Sequence, residues 1–254
     1  MRAPVWLNPW TVDFPPIERA MTEPNGLLAI GGDLSEQRLL NAYRHGIFPW
    51  YETGQPILWW SPAPRAVLFP DKIHISRSLK KSIRTKGYAV TFDRAFRDVM
   101  QACAEPRKSG AGTWITHDMV EAYCALHEKG YAHSAETWKD QKLVGGIYGV
   151  ALGKIFFGES MFCRETDASK IALVTLMQRL QEQGFKLLDC QVGNTHTFSL
   201  GATEISRKEF KAYLLQYITN DIYGSAQKWD NLCNSTLTNT HVEKAASTND
   251  NSIN

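Results

Sequence analysis

Residues 143–192, "LVGGIYGVALGKIFFGESMFCRETDASKIALVTLMQRLQEQGFKLLDCQV", decide the fold. Two apolar runs with strand character, 143–150 and 154–163, are joined by "ALG", a connection of hairpin length. The stretch from 168 then shifts to helical spacing. Leu173, Leu176, Met177 and Leu180 fall on one face, and Gly184 stands where a helix C-terminus favours glycine. A third strand-like run follows, "FKLLDCQV". The order is therefore strand, strand, helix, strand, and strands alternate with helices from about residue 63 onward. That alternation predicts an α/β or α+β domain of roughly 170 residues.

Upstream, residues 1–62 are dense in Pro, Trp and Gly and hold one short helix within 34–45, with Asp33 or Ser35 as its cap. Downstream, 234–254 contains 12 Asn, Ser or Thr among 21 residues and no aromatic side chain, so it is expected to be disordered. Between these ends the chain has ample apolar content, 43% of 254 residues, for a filled core. The net charge of +2 is too small to mark a nucleic-acid binder by itself, so charge has to be read locally. Cys103, Cys124, Cys163, Cys190 and Cys233 form no CxxC pair and follow no secretory leader, which predicts reduced thiols and a cytoplasmic protein. No apolar run approaches the ~20 residues that span a bilayer.

Two carboxylates interrupt the apolar strands. Asp189 and Gln191 lie two apart in an extended segment, so they project from one face within reach of a carboxylate-to-amide hydrogen bond, while Leu188 and Cys190 point the other way. A polar pair on a solvated face, or a structural network, is the alternative use of that pattern. The small, polar loop that follows, "GNTHTFSLGA", favours a site, because sites form at the C-terminal ends of strands in α/β sheets. Glu159 follows Gly158 inside another apolar strand, and a strand glycine marks a bulge or a close approach. Pairing with a nearby Lys or Arg is the ordinary alternative for such a carboxylate.

Residues 72–86, "KIHISRSLKKSIRTK", carry six cations and no acid. With Ser76 as cap, Arg77, Lys80, Lys81 and Arg84 line one helical face opposite Leu79 and Ile83. Such a stripe is either a solvated face or a match for a phosphate backbone. Trp50, Trp59, Trp60 and Trp114 can stack unpaired bases or simply pack a core. Other motifs fail on spacing. "GVALGKI" is no phosphate loop, "HEKGYAH" lacks zinc spacing, and Asp189, His196 and Ser199 have no GxSxG elbow to present the serine.

"EPNGLLAIGGDLS", "AYRHGIFPWY", "PILWWSPAPRAVL", "HISRS", "GTWIT", "LVGGIYGV", "FFGESMF" and "LLDCQVGNTHTFSLGA", in this order, resemble the bacterial leucyl/phenylalanyl-tRNA–protein transferase family over residues 23 to about 215. The resemblance implies an α+β protein, with a small N-terminal domain (1–62) packed on a GNAT-like acyltransferase domain (63–233). It implies transfer of Leu or Phe from aminoacyl-tRNA to proteins with N-terminal Arg or Lys, which marks them for N-degron degradation, by a monomer with no cofactor. Asp189 and Gln191 would form the catalytic pair and Glu159 would position substrate. Trp50 and Trp114 would hold the terminal adenosine and aminoacyl group. Ile147, Phe156, Leu173, Leu176, Leu180 and Leu188 would line the amino-acid pocket, Leu188 only if a bulge reconciles it with the facing of Asp189. Arg77, Lys81 and Arg84 would take the tRNA acceptor stem, with Lys86 as a substitute for a cation missing at Thr85. An acetyl-CoA enzyme would need a pyrophosphate turn that "CRETDASK" does not supply, and a non-catalytic RNA binder would have no use for Asp189 and Gln191.

Overall fold

The computed structural model describes residues 3–106, 114–218 and 229, so the tail at 234–254 and Cys233 lie outside the described residues. The first part of the chain forms β1 (Val5–Trp6), β2 (Leu27–Ile30), α1 (Glu36–Arg44), β3 (Phe48–Pro49) and β4 (Leu58–Trp60). Its four strands make one sheet in the order β1-β2-β4-β3. Of the two candidate caps for α1 it is Ser35 that accepts the Arg38 N–H, while Asp33 accepts the Ser35 N–H at 2.8 Å and pairs with the Arg38 side chain.

Past Trp60 the chain enters a second sheet. Its elements are β5 (Arg65–Leu68), α2 (Arg77–Thr85), β6 (Ala89–Phe92), α3 (Phe96–Ala104), α4 (His117–Glu128), β7 (Ala132–Lys139), β8 (Lys142–Leu152) and β9 (Ile155–Cys163). They are followed by α5 (Ala168–Glu182), β10 (Leu187–Gln191), α6 (Thr195–Ser199), β11 (Thr203–Ile205) and α7 (Arg207–Tyr217). Seven strands pair in the order β11-β5-β10-β9-β8-β7-β6, so the expected mixed α+β class is the one observed. The hairpin between β8 and β9 is tighter than expected. β8 runs on through Leu152, which pairs with Ile155, and the turn is Gly153-Lys154. Gly153 adopts φ +55°, and a Cβ there would lie 2.0 Å from the Tyr217 carbonyl, so the turn docks against the end of α7.

Each face of the large sheet buries a core. On one face α3, α4 and the N-terminal sheet share a single cluster, in which Leu39, Tyr43 and Trp59 meet Val99, Tyr123, Tyr148 and Phe157. On the other face α2 and α5 pack Leu79, Leu173, Leu176 and Leu180 against Ile147, Phe156 and Leu188. α5 ends as its sequence requires, with Gly184 in the left-handed conformation, φ +75°, just beyond the last turn.

The pair that positions the site is β9 and β10, which run parallel. They hold register only from Leu187↔Ile155 to Asp189↔Phe157 and then separate. Each carries a bulge at the point of separation. On β9, Tyr148 faces Ser160 while Gly149 faces Gly158, which makes Glu159 the extra residue. On β10, Asp189 faces Val67 and Gln191 faces Ala66, which makes Cys190 extra. Bulges re-aim side chains where a ladder ends.

Candidate functional site

The cleft opened by this separation holds a cavity of about 570 Å³. Ile147, Met161, Leu173, Leu188 and Leu68 supply apolar wall, and Glu159, Ser169, Asn194 and His196 supply polar edge. A smaller groove of about 190 Å³ adjoins it, walled by Phe48, Pro49, Trp50, Trp114, Gln191 and Val192. Trp114, Glu159, Cys190 and Asn194 border both spaces.

Gly158 lets the two strands approach closely before they part. A Cβ at this position would meet Leu188 Cδ2 at 3.2 Å and the Asp189 carbonyl at 3.3 Å. Beyond it the Glu159 carboxylate is held from two sides. Gln191 Nε2 donates to Oε1 at 2.8 Å, and the Tyr123 hydroxyl donates to Oε2 at 3.3 Å. Tyr123 in turn shares a very short hydroxyl bond with Tyr43, from α1. Burial pushes the Glu159 carboxyl up to about 8, against the hydroxyl bonds that lower it and with the Asp189 charge adding to the rise. Burial also raises both tyrosines well above their ordinary value, so they remain neutral donors.

Gln191 meets Glu159 because of its backbone. Its φ of +62° turns the chain out of regular strand geometry directly after the bulge. The amide nitrogen is the atom that faces Glu159, whose Oε1 can accept the bond whether the carboxyl is ionised or protonated. That leaves the amide oxygen without a protein partner among the described residues.

Asp189 does not make the expected side-chain bond to the Gln191 amide. It lies fully buried, on the face of the sheet away from Leu188 and Cys190, and receives Arg65 Nε and Nη2 at 2.8 and 2.7 Å. Its Oδ1 also accepts the backbone N–H of Gln191 at 2.9 Å. The carboxylate therefore holds the backbone of Gln191 and Glu159 holds its side chain. Alternation and bulge together also account for Leu188. It lines the cavity on one face, Asp189 is sequestered on the other, and the bulge after Asp189 brings Gln191 round to the cleft.

Of the six residues expected to line an apolar pocket, Ile147, Leu173 and Leu188 do so. Phe156, Leu176 and Leu180 do not. They are at most 1% exposed and belong to the core beneath, where Phe156 stacks on Trp229 with ring centroids 5.9 Å apart. A helical stripe marks the buried face of α5 but not the one turn of it that borders a cavity. Met161, Cys190, Asn194 and His196 also border the cavity, Met161 because the bulge at Glu159 reverses the facing of β9 beyond it. Arg65, the lone cation opening the apolar run "RAVL", and the tyrosines at 43 and 123 were missed because their partners are distant in sequence.

Trp50 is 45% exposed at the groove and rests against Trp60, whose indole N–H donates to the Trp50 carbonyl at 2.7 Å. Trp59 is instead core, with its N–H on the Gly31 carbonyl at 2.8 Å. α2 forms with Ser76 capping Leu79 N–H at 3.2 Å, Leu79 buried, and Arg77, Lys81 and Arg84 exposed. Lys86 does not join them, because its ammonium donates to the Thr166 carbonyl at 3.1 Å on the other side of the helix. Among the described residues no group of His, Cys, Asp and Glu is arranged to hold a metal ion, and no helix is long and apolar enough to cross a membrane.

Comparison with known proteins gives concordant results. The family model "Leucyl/phenylalanyl-tRNA protein transferase" matches residues 67–215, and the model of that family's N-terminal domain matches residues 32–63. The leucyl/phenylalanyl-tRNA–protein transferase of Pseudomonas aeruginosa is 58% identical over 212 residues, 84% of this chain and 94% of that protein. The one from Stutzerimonas stutzeri is 56% identical over 224 residues, 88% of this chain and 98% of that protein. Solved structures with some likeness include L-PGS from Bacillus licheniformis, TM-score 0.38 at 13% identity over 72% of this chain and 62% of that one. A GCN5-related N-acetyltransferase from Kribbella flavida reaches TM-score 0.37 at 10% identity, over 65% of this chain and 58% of that one. Likeness at that level decides nothing about activity. Sequence identity above half across nearly the full length of its relatives is decisive, and the chain belongs to the leucyl/phenylalanyl-tRNA–protein transferase family.

Proposed function

We propose that the protein transfers Leu or Phe from aminoacyl-tRNA to the N-terminal Arg or Lys of acceptor proteins, marking them for N-degron degradation, and that it does so as a cytoplasmic monomer with the residues of the cleft. The observation that carries this reading is the Gln191 amide, fixed by Glu159 where an apolar cavity meets a groove walled by tryptophans. Ile147, Leu173 and Leu188 receive the Leu or Phe side chain, and Trp50 and Trp114 flank the terminal adenosine. Arg77, Lys81 and Arg84 on α2 take phosphates of the acceptor stem, contacts that position the tRNA without reading its sequence.

The chemistry asks little of the protein beyond placement. The aminoacyl ester is already activated. The acceptor amine, with an ordinary α-amino pKa of about 7.7–8.0, is partly unprotonated at neutral pH. Its nitrogen bonds to the ester carbonyl carbon, the carbon–oxygen bond to the terminal ribose breaks, and the proton lost by the amine ends on the ribose oxygen. The Gln191 amide oxygen accepts a hydrogen bond from the amine and aims its lone pair. An amide is too weak a base to take the proton outright, so the proton travels through the ribose hydroxyl or water. Orientation supplies the greater part of the rate.

The test is transfer of radiolabelled Leu and Phe from charged tRNA to peptides that differ only in their first residue. Label should enter Arg- and Lys-starting peptides and not an Ala-starting one. Absence of transfer to any peptide would refute the reading.

A further inference from the structure

We propose that Arg65 is a positioning residue for the transfer reaction, acting through Asp189 to hold Gln191 in the turned backbone conformation that delivers its amide to the cleft. The proposal rests on the role given to Gln191 above. Arg65 opens β5, the strand that pairs with β10 across the bulge. Its guanidinium makes both fork bonds to Asp189 and lies between two aromatic rings, 4.9 Å from the centroid of Phe48 and 4.7 Å from that of Phe210. Arg65 is 1% exposed and Asp189 is 0% exposed.

Two donors converge on Asp189 Oδ1. It takes one guanidinium donor and, at 2.9 Å, the N–H of Gln191, whose φ of +62° is a conformation that residues with a Cβ hold only when their surroundings over-determine it. Without Arg65, Asp189 would be an unpaired carboxylate in a closed core. Such a group recruits a proton or water and shifts, releasing the Gln191 N–H. With Arg65 present, the carboxylate is committed to a bidentate partner and a backbone donor, and among the described residues it makes no bond to the Gln191 side chain. Its charge balances Arg65, while its geometry holds Gln191. The two tasks are separable, so a neutral pair that keeps an acceptor at Oδ1 should retain the second.

The experiment compares Asp189→Asn, Arg65→Gln, the double variant and Gln191→Ala, each assayed for kcat and KM with Leu-tRNA and an Arg-starting peptide. Each single variant at 65 or 189 strands one buried charge, and kcat should fall about 100-fold, the scale of a 1 Å misplacement, with KM for the tRNA nearly unchanged. The double variant removes both charges and should recover at least about tenfold over Asp189→Asn, a non-additivity expected of groups acting as one unit. A folded double variant no more active than Asp189→Asn would overturn the proposal, because the charge of Asp189 would then act directly on the reaction. Where these variants fail to fold, Arg65→Lys decides. It keeps the cation but not the fork, so kcat should drop while aminoacyl-adenosine binding persists, and wild-type kcat would overturn the proposal. Wild-type transfer that Gln191→Ala leaves intact would instead remove the underlying role of Gln191, a distinct failure.

Discussion

Gln191 has its side chain fixed by one carboxylate and its backbone by another, and the two make different demands on the solvent. Gln191→Ala should lower kcat about 100-fold and leave binding of an aminoacyl-adenosine mimic nearly unchanged, since in its proposed role it meets the amine mainly in the transition state. An equal loss in binding would mean that the residue only shapes the groove. Glu159 adds a pH signature. Its ordinary value is 4.5 and burial raises it to about 8, so the folded protein retains a proton there that the unfolded chain has released between those limits. The stability due to that proton is complete below about 4.5 and is lost as pH rises through about 8. Glu136, buried beside Ser134 and Thr91, is raised to about 7 and adds a similar slope. Comparing wild type with Glu159→Gln in denaturant titrations isolates the first. From about pH 5 to 9 the variant should gain on the wild type by on the order of 1–3 kcal/mol, and parallel curves would show an unperturbed carboxyl.

At the scale of elements, α5 is both core and cavity wall, and the division falls within a single turn. Leu173→Trp should fill the cavity and reduce Phe transfer before Leu transfer, whereas Leu176→Ala should cost about 2–5 kcal/mol of stability and leave the Phe-to-Leu ratio alone. A changed ratio in the second variant would move Leu176 into the pocket. α2 has a different division, with its apolar side against α5 and Arg77, Lys81 and Arg84 exposed. Arg77→Ala combined with Lys81→Ala should weaken binding of Leu-tRNA and Phe-tRNA alike and flatten the log–log salt dependence by up to about one unit for each phosphate interaction removed. A small aminoacyl-adenosine mimic should bind as before, and an equal weakening for both ligands would point to a damaged fold. These elements were legible in sequence, because period, cap and terminal glycine agree for α5, and a serine cap with a one-sided cation stripe agrees for α2. Both bulges were also signalled, one by Gly158 and one by the conflict between Leu188 and Asp189. What could not be read was pairing at a distance. Nothing local to Asp189 names Arg65 as its partner, 124 residues away, and nothing local to Glu159 names Tyr123. Three-dimensional packing chose backbone support over the local side-chain bond that strand spacing allows.

At the scale of the whole molecule, the N-terminal sheet and the large sheet share one core, and the site draws on both. Tyr43 bonds Tyr123 and acts together with it on Glu159, while Phe48 covers Arg65 from the N-terminal side. Tyr123→Phe removes a hydroxyl that donates to Glu159 and bonds Tyr43, so it should cost about 1–3 kcal/mol in denaturant unfolding and lower transfer with it. Unchanged stability would mean that the hydroxyl pair is not the link between the two parts. The far end of the chain takes part as well, since Phe210 of α7 closes the other side of Arg65 and Trp229 stacks on His133 at 3.9 Å. The aromatic clamp on Arg65 thus has a consequence in time. Residue 48 leaves the ribosome well before residue 210, and the guanidinium between them is fully enclosed only when both are present. Contacts this far apart in sequence close late in folding. A nascent chain halted before α7 would present Arg65 with one aromatic face uncovered, and competence to use charged tRNA would arrive only once α7 had been made.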